Sequence, residues 1–213
     1  MKKTALIVCN GKSPDPAILT RLWEWADLKI AADGGANQLL QQNRVPDVII
    51  GDGDSLKAST DTVSAIPLIK VDEQNTNDAD KAIRYCLQHQ VTEIHLLGAD
   101  GKRMDHFLAN LEVLYKYSDE ARIILWTATE RIECIRTQWN RSLESGTVLS
   151  LLPLFGGGFG IETHGLKYEL QGTDLVPGKE PTGLSNEVLE SDVHISLKQG
   201  CLFLIYAHQS NLF

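Results

Sequence analysis

No two cysteines of this 213-residue chain stand in a CxxC spacing: Cys9, Cys86, Cys134 and Cys201 are scattered along it. They read as reduced core residues of a cytosolic protein rather than as a paired-thiol site. No run of lysine or arginine is present, and 20 basic against 28 acidic residues give a formal net charge of −8. That excludes nucleic acid as the main partner, because a phosphate backbone needs clustered cations. A nucleotide stays compatible, since a metal and a few cations can meet its charge, and an acidic surface also suits a cationic substrate. No apolar stretch is long enough for a bilayer. The run at 201–207 is far too short to span one, and the opening run at 5–9 is too short for a signal peptide. A cytoplasmic protein with no membrane partner is the expectation. There is no Gly-x-x-x-x-Gly-Lys-Ser/Thr segment, which excludes an ordinary P-loop kinase. No Gly-x-Gly-x-x-Gly follows the first apolar run, which weakens a dinucleotide oxidoreductase. Internal repeats and low-complexity segments are also missing.

The composition is otherwise that of a globular protein, 43% apolar and 23% charged, enough to bury a core in one large or two small domains. The first part alternates two kinds of segment. Apolar runs at 5–9, 28–32, 47–51, 66–71, 93–97 and 122–126 read as strands covered on both faces. Helical patterns fill the gaps at about 16–25, 36–42, 57–65, 78–89 and 104–117. This β-α-β-α order predicts an α/β domain over residues 1–130, a mostly parallel sheet flanked by helices. Its strand-to-helix loops then line one edge. After residue 130 the pieces become short, β-rich and Gly-punctuated. Strands are expected at 147–152, 166–170, 192–197 and 201–207, with a flexible glycine turn at 156–160. Residues 131–213 therefore predict an all-β, sandwich-like second domain.

Four polar segments fall at the C-terminal ends of the parallel strands, where such sheets bind ligands. In Val48-Ile49-Ile50-Gly51-Asp52-Gly53-Asp54-Ser55 a strand ends in two carboxylates two residues apart, with glycine before and between them. Such a loop can aim both side chains at one cation, and Mg²⁺ takes a few carboxylates together with waters and substrate phosphates. The alternative is a polar Asp-Gly turn. In Ala31-Ala32-Asp33-Gly34-Gly35-Ala36-Asn37, Asp33 leaves a strand and two glycines open a helix, a ready anion site or simply a tight turn. Asp33, Asp52 and Asp54 together are the candidate Mg²⁺ ligands. In Asn77-Asp78-Ala79-Asp80-Lys81-Ala82, Asn77 reads as an N-cap and Asp80 imitates a capping box. Asp78 and Lys81 share the polar face, either to hold ligand and phosphate or as a solvated ion pair. Gly98 to His106 begins another helix. Its apolar face is Met104, Phe107, Leu108, Leu111, Leu114 and Tyr115, while Arg103 is placed to clamp phosphate. Asp105 suits the helix dipole, and His106 suits local hydrogen bonding or the site.

Taken in order, Ala-Asp-Gly-Gly-Ala-Asn at 32–37, Gly-Asp-Gly-Asp-Ser-Leu at 51–56, Asn-Asp-Ala-Asp-Lys-Ala at 77–82 and the Gly-to-His run at 98–106 resemble thiamine pyrophosphokinase (thiamine diphosphokinase). Thr163-His164-Gly165-Leu166-Lys167-Tyr168 and Gly183-Leu184-Ser185-Asn186-Glu187 resemble that family's C-terminal signature. The resemblance implies an N-terminal α/β domain, a C-terminal β-sandwich and a homodimer with sites near the dimer interface. It implies transfer of pyrophosphate from ATP to the hydroxyl of thiamine, giving thiamine diphosphate and AMP. It places Mg²⁺ and the reacting phosphates against Asp33, Asp52 and Asp54, with Asp78 and Lys81 beside them. ATP is placed against Gly34, Gly35, Asn77, Lys81, Arg103, Asp105 and His106, and thiamine against Tyr168, Ser185 and Asn186. Lys102 replaces the family's usual second glycine of Gly-Gly-Arg, and Asn77 stands where threonine is commoner. Tyr168 suits either stacking on a thiamine ring or a place in the β core.

Two rival readings remain at this level. An Asp-x-Asp after a strand also serves Mg²⁺-dependent nucleotide-sugar transferases, which release a nucleoside diphosphate rather than AMP. A non-catalytic thiamine or nucleotide sensor is the other, though such a binder has no need to keep the full set of acidic and basic residues.

Overall fold

In a computed structural model, residues 3–56, 65–71 and 75–208 are described. The helix expected over 57–65 falls almost wholly outside them, as do residues 72–74. Two compact units divide the chain, Met1–Ala128 and Thr129–Phe213.

In the first unit, strands β1 (Thr4–Val8), β2 (Leu28–Ala32), β3 (Val48–Gly51), β4 (Leu68–Lys70), β5 (Glu93–Leu97) and β6 (Arg122–Trp126) form a parallel run in the order β6-β5-β1-β2-β3-β4. β1 and β5 are buried along their whole length, as expected of strands covered on both faces. Helices α1 (Pro16–Trp25), α2 (Gly35–Gln41), α3 (Asp78–Gln88) and α4 (Met104–Tyr117) flank the sheet. α1 starts where Asp15 accepts hydrogen bonds from the Ala17 and Ile18 amides, with Pro16 in the first turn. There the missing proline N–H costs nothing. α3 starts where the Asn77 side chain accepts from the Asp80 amide. α3 and α4 pack against each other. The strand order reverses between β1 and β5, so the loops leaving these two strands diverge and open a cleft.

Two sheets of antiparallel strands make up the second unit. One runs β12 (Asn186–Glu187), β9 (Val148–Leu152), β15 (Leu202–Ala207), β7 (Glu130–Ile135). The other runs β11 (Gln171–Leu175), β10 (Gly158–His164), β13 (Asp192–Ser196), β8 (Gln138–Ser142), with β14 (Gln199–Gly200) on β10. Their inner faces share one core, in which Leu149, Leu151, Leu204 and Tyr206 join Ile161, Leu175, Val193 and Ile195. Each fully buried aliphatic side chain of this kind contributes about 1.5–3 kcal/mol.

Three local expectations are corrected. Gly158 already belongs to β10, so the glycine run at 156–160 enters a strand rather than forming only a flexible turn. Residues 166–170 are not a strand; they turn after β10 and touch Val188 through a single bridge at Leu166. Met104 and Leu108 are 70% and 54% exposed, so the buried face of α4 is carried by Leu111, Val113, Leu114 and Tyr117. Among the described residues no helix is long and apolar enough to cross a membrane.

Candidate active site

At the C-terminal edge of the parallel sheet, where the loops after β1 and β5 part, lies a cavity of about 410 Å³. Its walls come from the loops after β1, β2, β3 and β5 and from the starts of α3 and α4. Three backbone bonds zip the β1 and β5 loops together at its mouth: Cys9 N to Leu97 O, Gly11 N to Gly98 O and Lys12 N to Asp100 O, at 2.6–2.8 Å. Gly11 lies so close that a Cβ there would fall 2.2 Å from the Gly98 carbonyl oxygen.

Asp33 leaves β2 in the left-handed region, φ 43°. That conformation is costly for a side-chain-bearing residue and persists only where the surroundings fix it. Here the Asp33 amide donates to Ile50 O at 2.8 Å and its carbonyl accepts from Ala36 N at 3.1 Å. Gly51 lets Asp33 approach β3, because a Cβ at Gly51 would come within 2.8 Å of the Asp33 Cβ. Asp33 is only 4% exposed, and its Oδ1 is buried with no hydrogen-bond partner in the protein. A buried carboxylate oxygen left that way is expensive, so this atom points to a ligand.

The structure divides the expected trio of carboxylates. Asp33 and Asp52 line the cavity, but Asp54 is exposed and does not border it. Asp52 Oδ1 instead accepts from the Asp54 amide at 3.0 Å, closing the turn. Asp78, in the first turn of α3, is a further carboxylate at the cavity. Burial pushes the Asp78 carboxyl up, Lys81 pulls it back through a hydrogen bond and its charge, and the charges of Asp33 and Asp52 push it up again. The solvated-pair alternative for Lys81 is also corrected. Lys81 is 7% exposed, and its Nζ sits 3.3 Å from Asp78 Oδ1.

Among the described residues no three His, Cys, Asp or Glu side chains converge as a ready metal cage, so the protein alone does not assemble an Asp33–Asp52–Asp54 ligand set. Mg²⁺ does not require one, since it keeps waters and phosphate oxygens in its shell. Asp33, which carries the orphaned oxygen and lines the same cavity as Asp52 and Asp78, fits such partial coordination.

The remaining expected residues divide. Arg103 and His106 border the cavity, whereas Asp105 does not. Asp105 is tied to Arg103 by a two-pronged contact of 2.5 and 3.1 Å. That hydrogen bond lowers the Asp105 carboxyl and raises the Arg103 guanidinium, on an exposed surface. Gly34 and Gly35 do not border the cavity either. A Cβ at Gly35 would lie 1.9 Å from Val8 O, so this glycine serves close packing of α2 on β1. Asn77 lines the cavity and caps α3 as expected, but Asp80 does not complete a capping box. Its buried carboxylate accepts from Lys116 Nζ at 2.8 Å and Tyr117 OH at 2.9 Å, with Arg84 Nε 3.1 Å away. Lys102, the departure from Gly-Gly-Arg, donates to the backbone and side-chain oxygens of Asn10 at 2.5 and 3.1 Å.

Sequence reasoning passed over Asn110, Asp100 and Cys9, all at the cavity. Asn110 was hidden in the apolar pattern of α4. Burial raises the Asp100 carboxyl. Burial and the Asp78 charge push the Cys9 thiol up to about 12, which keeps it neutral.

In the second unit, Tyr168 is 62% exposed, which removes it from the β core. The buried Asn186 amide holds the Tyr168 backbone from both sides, accepting from its N–H at 3.0 Å and donating to its carbonyl at 2.8 Å. Ser185 adopts φ 53°, and its amide donates to Ser150 Oγ at 3.1 Å.

Comparison with known proteins agrees along the chain. A family model described as thiamin pyrophosphokinase, catalytic domain, matches residues 19–125, and one described as thiamin pyrophosphokinase, vitamin B1 binding domain, matches residues 135–202. Thiamine pyrophosphokinase 1 of Arabidopsis thaliana is 33% identical over 98% of this chain and 88% of its own length. Thiamine pyrophosphokinase of Bacillus subtilis (strain 168) is 28% identical over 95% of this chain and 98% of its own. The crystal structure of a thiamine pyrophosphokinase from Bacillus subtilis superposes with a TM-score of 0.83 at 26% identity, covering 97% of this chain and 100% of that one. One from Candida albicans gives 0.84 at 19% identity over 98% and 90%, a likeness of fold.

Proposed function

The chain belongs to the thiamine pyrophosphokinase family, and from that premise we propose that it transfers the pyrophosphoryl group of ATP to the hydroxyl of thiamine, with Mg²⁺, releasing AMP. Membership makes it an ATP-dependent diphosphotransferase. One observation carries the reading of the site: Asp33, Asp52, Asp78 and Asp100 line one cavity with a buried lysine, and one Asp33 oxygen lacks a protein partner. A polyphosphate with its cation supplies what such a cavity is missing, while an uncharged ligand does not.

In this reading the thiamine hydroxyl oxygen bonds to the β-phosphorus as the bond from that phosphorus to the α-phosphate oxygen breaks, AMP carries the electron pair away, and the hydroxyl proton passes to a cavity carboxylate. The protein's work is positioning and charge stabilisation. Asp33, Asp52 and Asp78 would hold Mg²⁺, which when bound offsets phosphate charge and polarises phosphoryl oxygens. Lys81, immobilised by burial, presents its ammonium to the cavity, where a desolvated charge acts most strongly. Arg103 offers a planar fork suited to phosphate, already aligned by Asp105. Residues 1–130 are assigned to nucleotide and metal. Residues 131–213 are assigned to thiamine and to formation of a homodimer, with Tyr168 as the exposed aromatic surface and Asn186 and Ser185 shaping the backbone around it. A cytoplasmic location accords with the four free cysteines.

The test is a product assay with purified protein, ATP, Mg²⁺ and thiamine. Equal amounts of AMP and thiamine diphosphate are expected, both abolished by a chelator. A nucleoside diphosphate as product, or no product from folded protein, would overturn the reading.

A further inference from the structure

Asn110 is buried on α4 at 7% exposure and takes no part in the apolar packing of that helix. Its Oδ1 accepts from Asn77 Nδ2 at 3.0 Å, and its Nδ2 donates to the Ala99 carbonyl at 2.7 Å. Asn77 in turn caps α3 through the Asp80 amide. A continuous chain of amide hydrogen bonds therefore runs from the first turn of α3, through two asparagines, to the loop after β5. The α3 turn carries Asp78 and Lys81. The loop carries Asp100, Lys102 and Arg103. Both walls border the cavity.

We propose that Asn110 is a positioning residue that holds the Asp78–Lys81 wall and the Arg103 wall at a fixed separation for phosphoryl transfer, an inference that rests on the diphosphotransferase reading above. The chemistry requires asparagine. One planar amide must present an acceptor to Asn77 and a donor to Ala99, and a buried amide network works only when each member is satisfied. Aspartate keeps the acceptor but sets a second oxygen against the Ala99 carbonyl. Leucine fills the volume and leaves both neighbours unpaired.

The test compares Asn110→Asp with Leu22→Ala, a core truncation on α1 that lies outside the cavity. Both are assayed where circular dichroism shows them folded. Asn110→Asp is expected to lose about 10- to 100-fold in kcat, with the KM for ATP changed by less than about threefold. Leu22→Ala is expected to keep its kcat per folded molecule. Asn77→Ala and Asn110→Ala should each lower kcat, and the double variant should be no worse than the poorer single one, because both cut the same link. Amide hydrogen exchange over residues 99–103, which needs no turnover, should speed up in Asn110→Asp. If that variant does not fold, Asn110→Ser carries the same comparison. Wild-type kcat in a folded Asn110 variant, additive losses in the double variant, or unchanged exchange would overturn the proposal. A wild-type protein without turnover would instead overturn the proposed function, with the exchange result still deciding whether the link exists.

Discussion

Replacing Lys81 by methionine removes the one buried lysine ammonium among the described residues and leaves an unbranched stem in its place. At the 3.3 Å separation from Asp78, two unit charges at an effective dielectric near 20 attract by about 5 kcal/mol. That is an upper bound, because the Asp78 side chain is 41% exposed. Screening by water cuts the pair's worth to about 1 kcal/mol, and releasing a buried ammonium from its desolvation offsets part of this. Stability should therefore fall by no more than about 1 kcal/mol, or about 2–4 °C in Tm for a chain of this size. Turnover should fall much further. A preorganised donor facing developing charge in a dry site is worth about 100- to 1000-fold in kcat, or about 3–4 kcal/mol. The two effects separate cleanly when AMP formation is measured beside a thermal melt. A kcat within about threefold of wild type, or a loss that merely follows the folded fraction, would refute the role given to Lys81.

Other outcomes follow from the same geometry. Asp52→Asn, which alters a cavity wall, should lower kcat by at least about 100-fold, whereas Asp54→Asn, on the outer side of the turn, should lower it by less than about tenfold; equal losses would show that Asp54 reaches the chemistry. Asp80→Asn should cost about 2 kcal/mol in a denaturant titration, since Tyr117 and Lys116 lose a charged acceptor; no change in midpoint would contradict the buried hub. Burial raises the Asp100 carboxyl above its ordinary value of 3.8, so the folded state binds this proton more tightly than the unfolded chain does. Its contribution to stability is then lost as pH rises from 3.8 through the folded pKa. Asp100→Asn should accordingly raise Tm at neutral pH, and the gain should disappear below pH 3.8; a gain that grows in acid would reverse the sign of the argument.

The parallel sheet was legible because its strands are continuous apolar runs bounded by polar loops. The order of those loops also placed Asp33, Asp52, Asp78, Lys81, Arg103 and His106 on one edge. What a linear reading misses is direction. Asp52 and Asp54 look equivalent in a Gly-Asp-Gly-Asp run, yet the turn closed by the Asp54 amide on Asp52 sends one side chain to the cavity and the other to solvent. Lys81 and Asp80 are adjacent polar residues on a helix, and both are buried, one at the cavity and one in a network reaching α4. Helical periodicity treats such residues as a solvated face, because it does not know what packs against it. Asn110 escaped for the same reason, since its partners are 33 and 11 residues away. In the second unit β10 begins inside a glycine run, where local propensity argues for a turn and pairing with β11 and β14 decides otherwise.

The central claim is that both terminal phosphates of ATP move together onto thiamine. The most direct measurement uses ATP labelled at the β-phosphorus, with Mg²⁺ and thiamine, and follows the label by chromatography. The account predicts label recovered in thiamine diphosphate, with unlabelled AMP in equal amount and no label transfer when thiamine is left out. Label retained in ADP, or no transfer by folded protein, would contradict it.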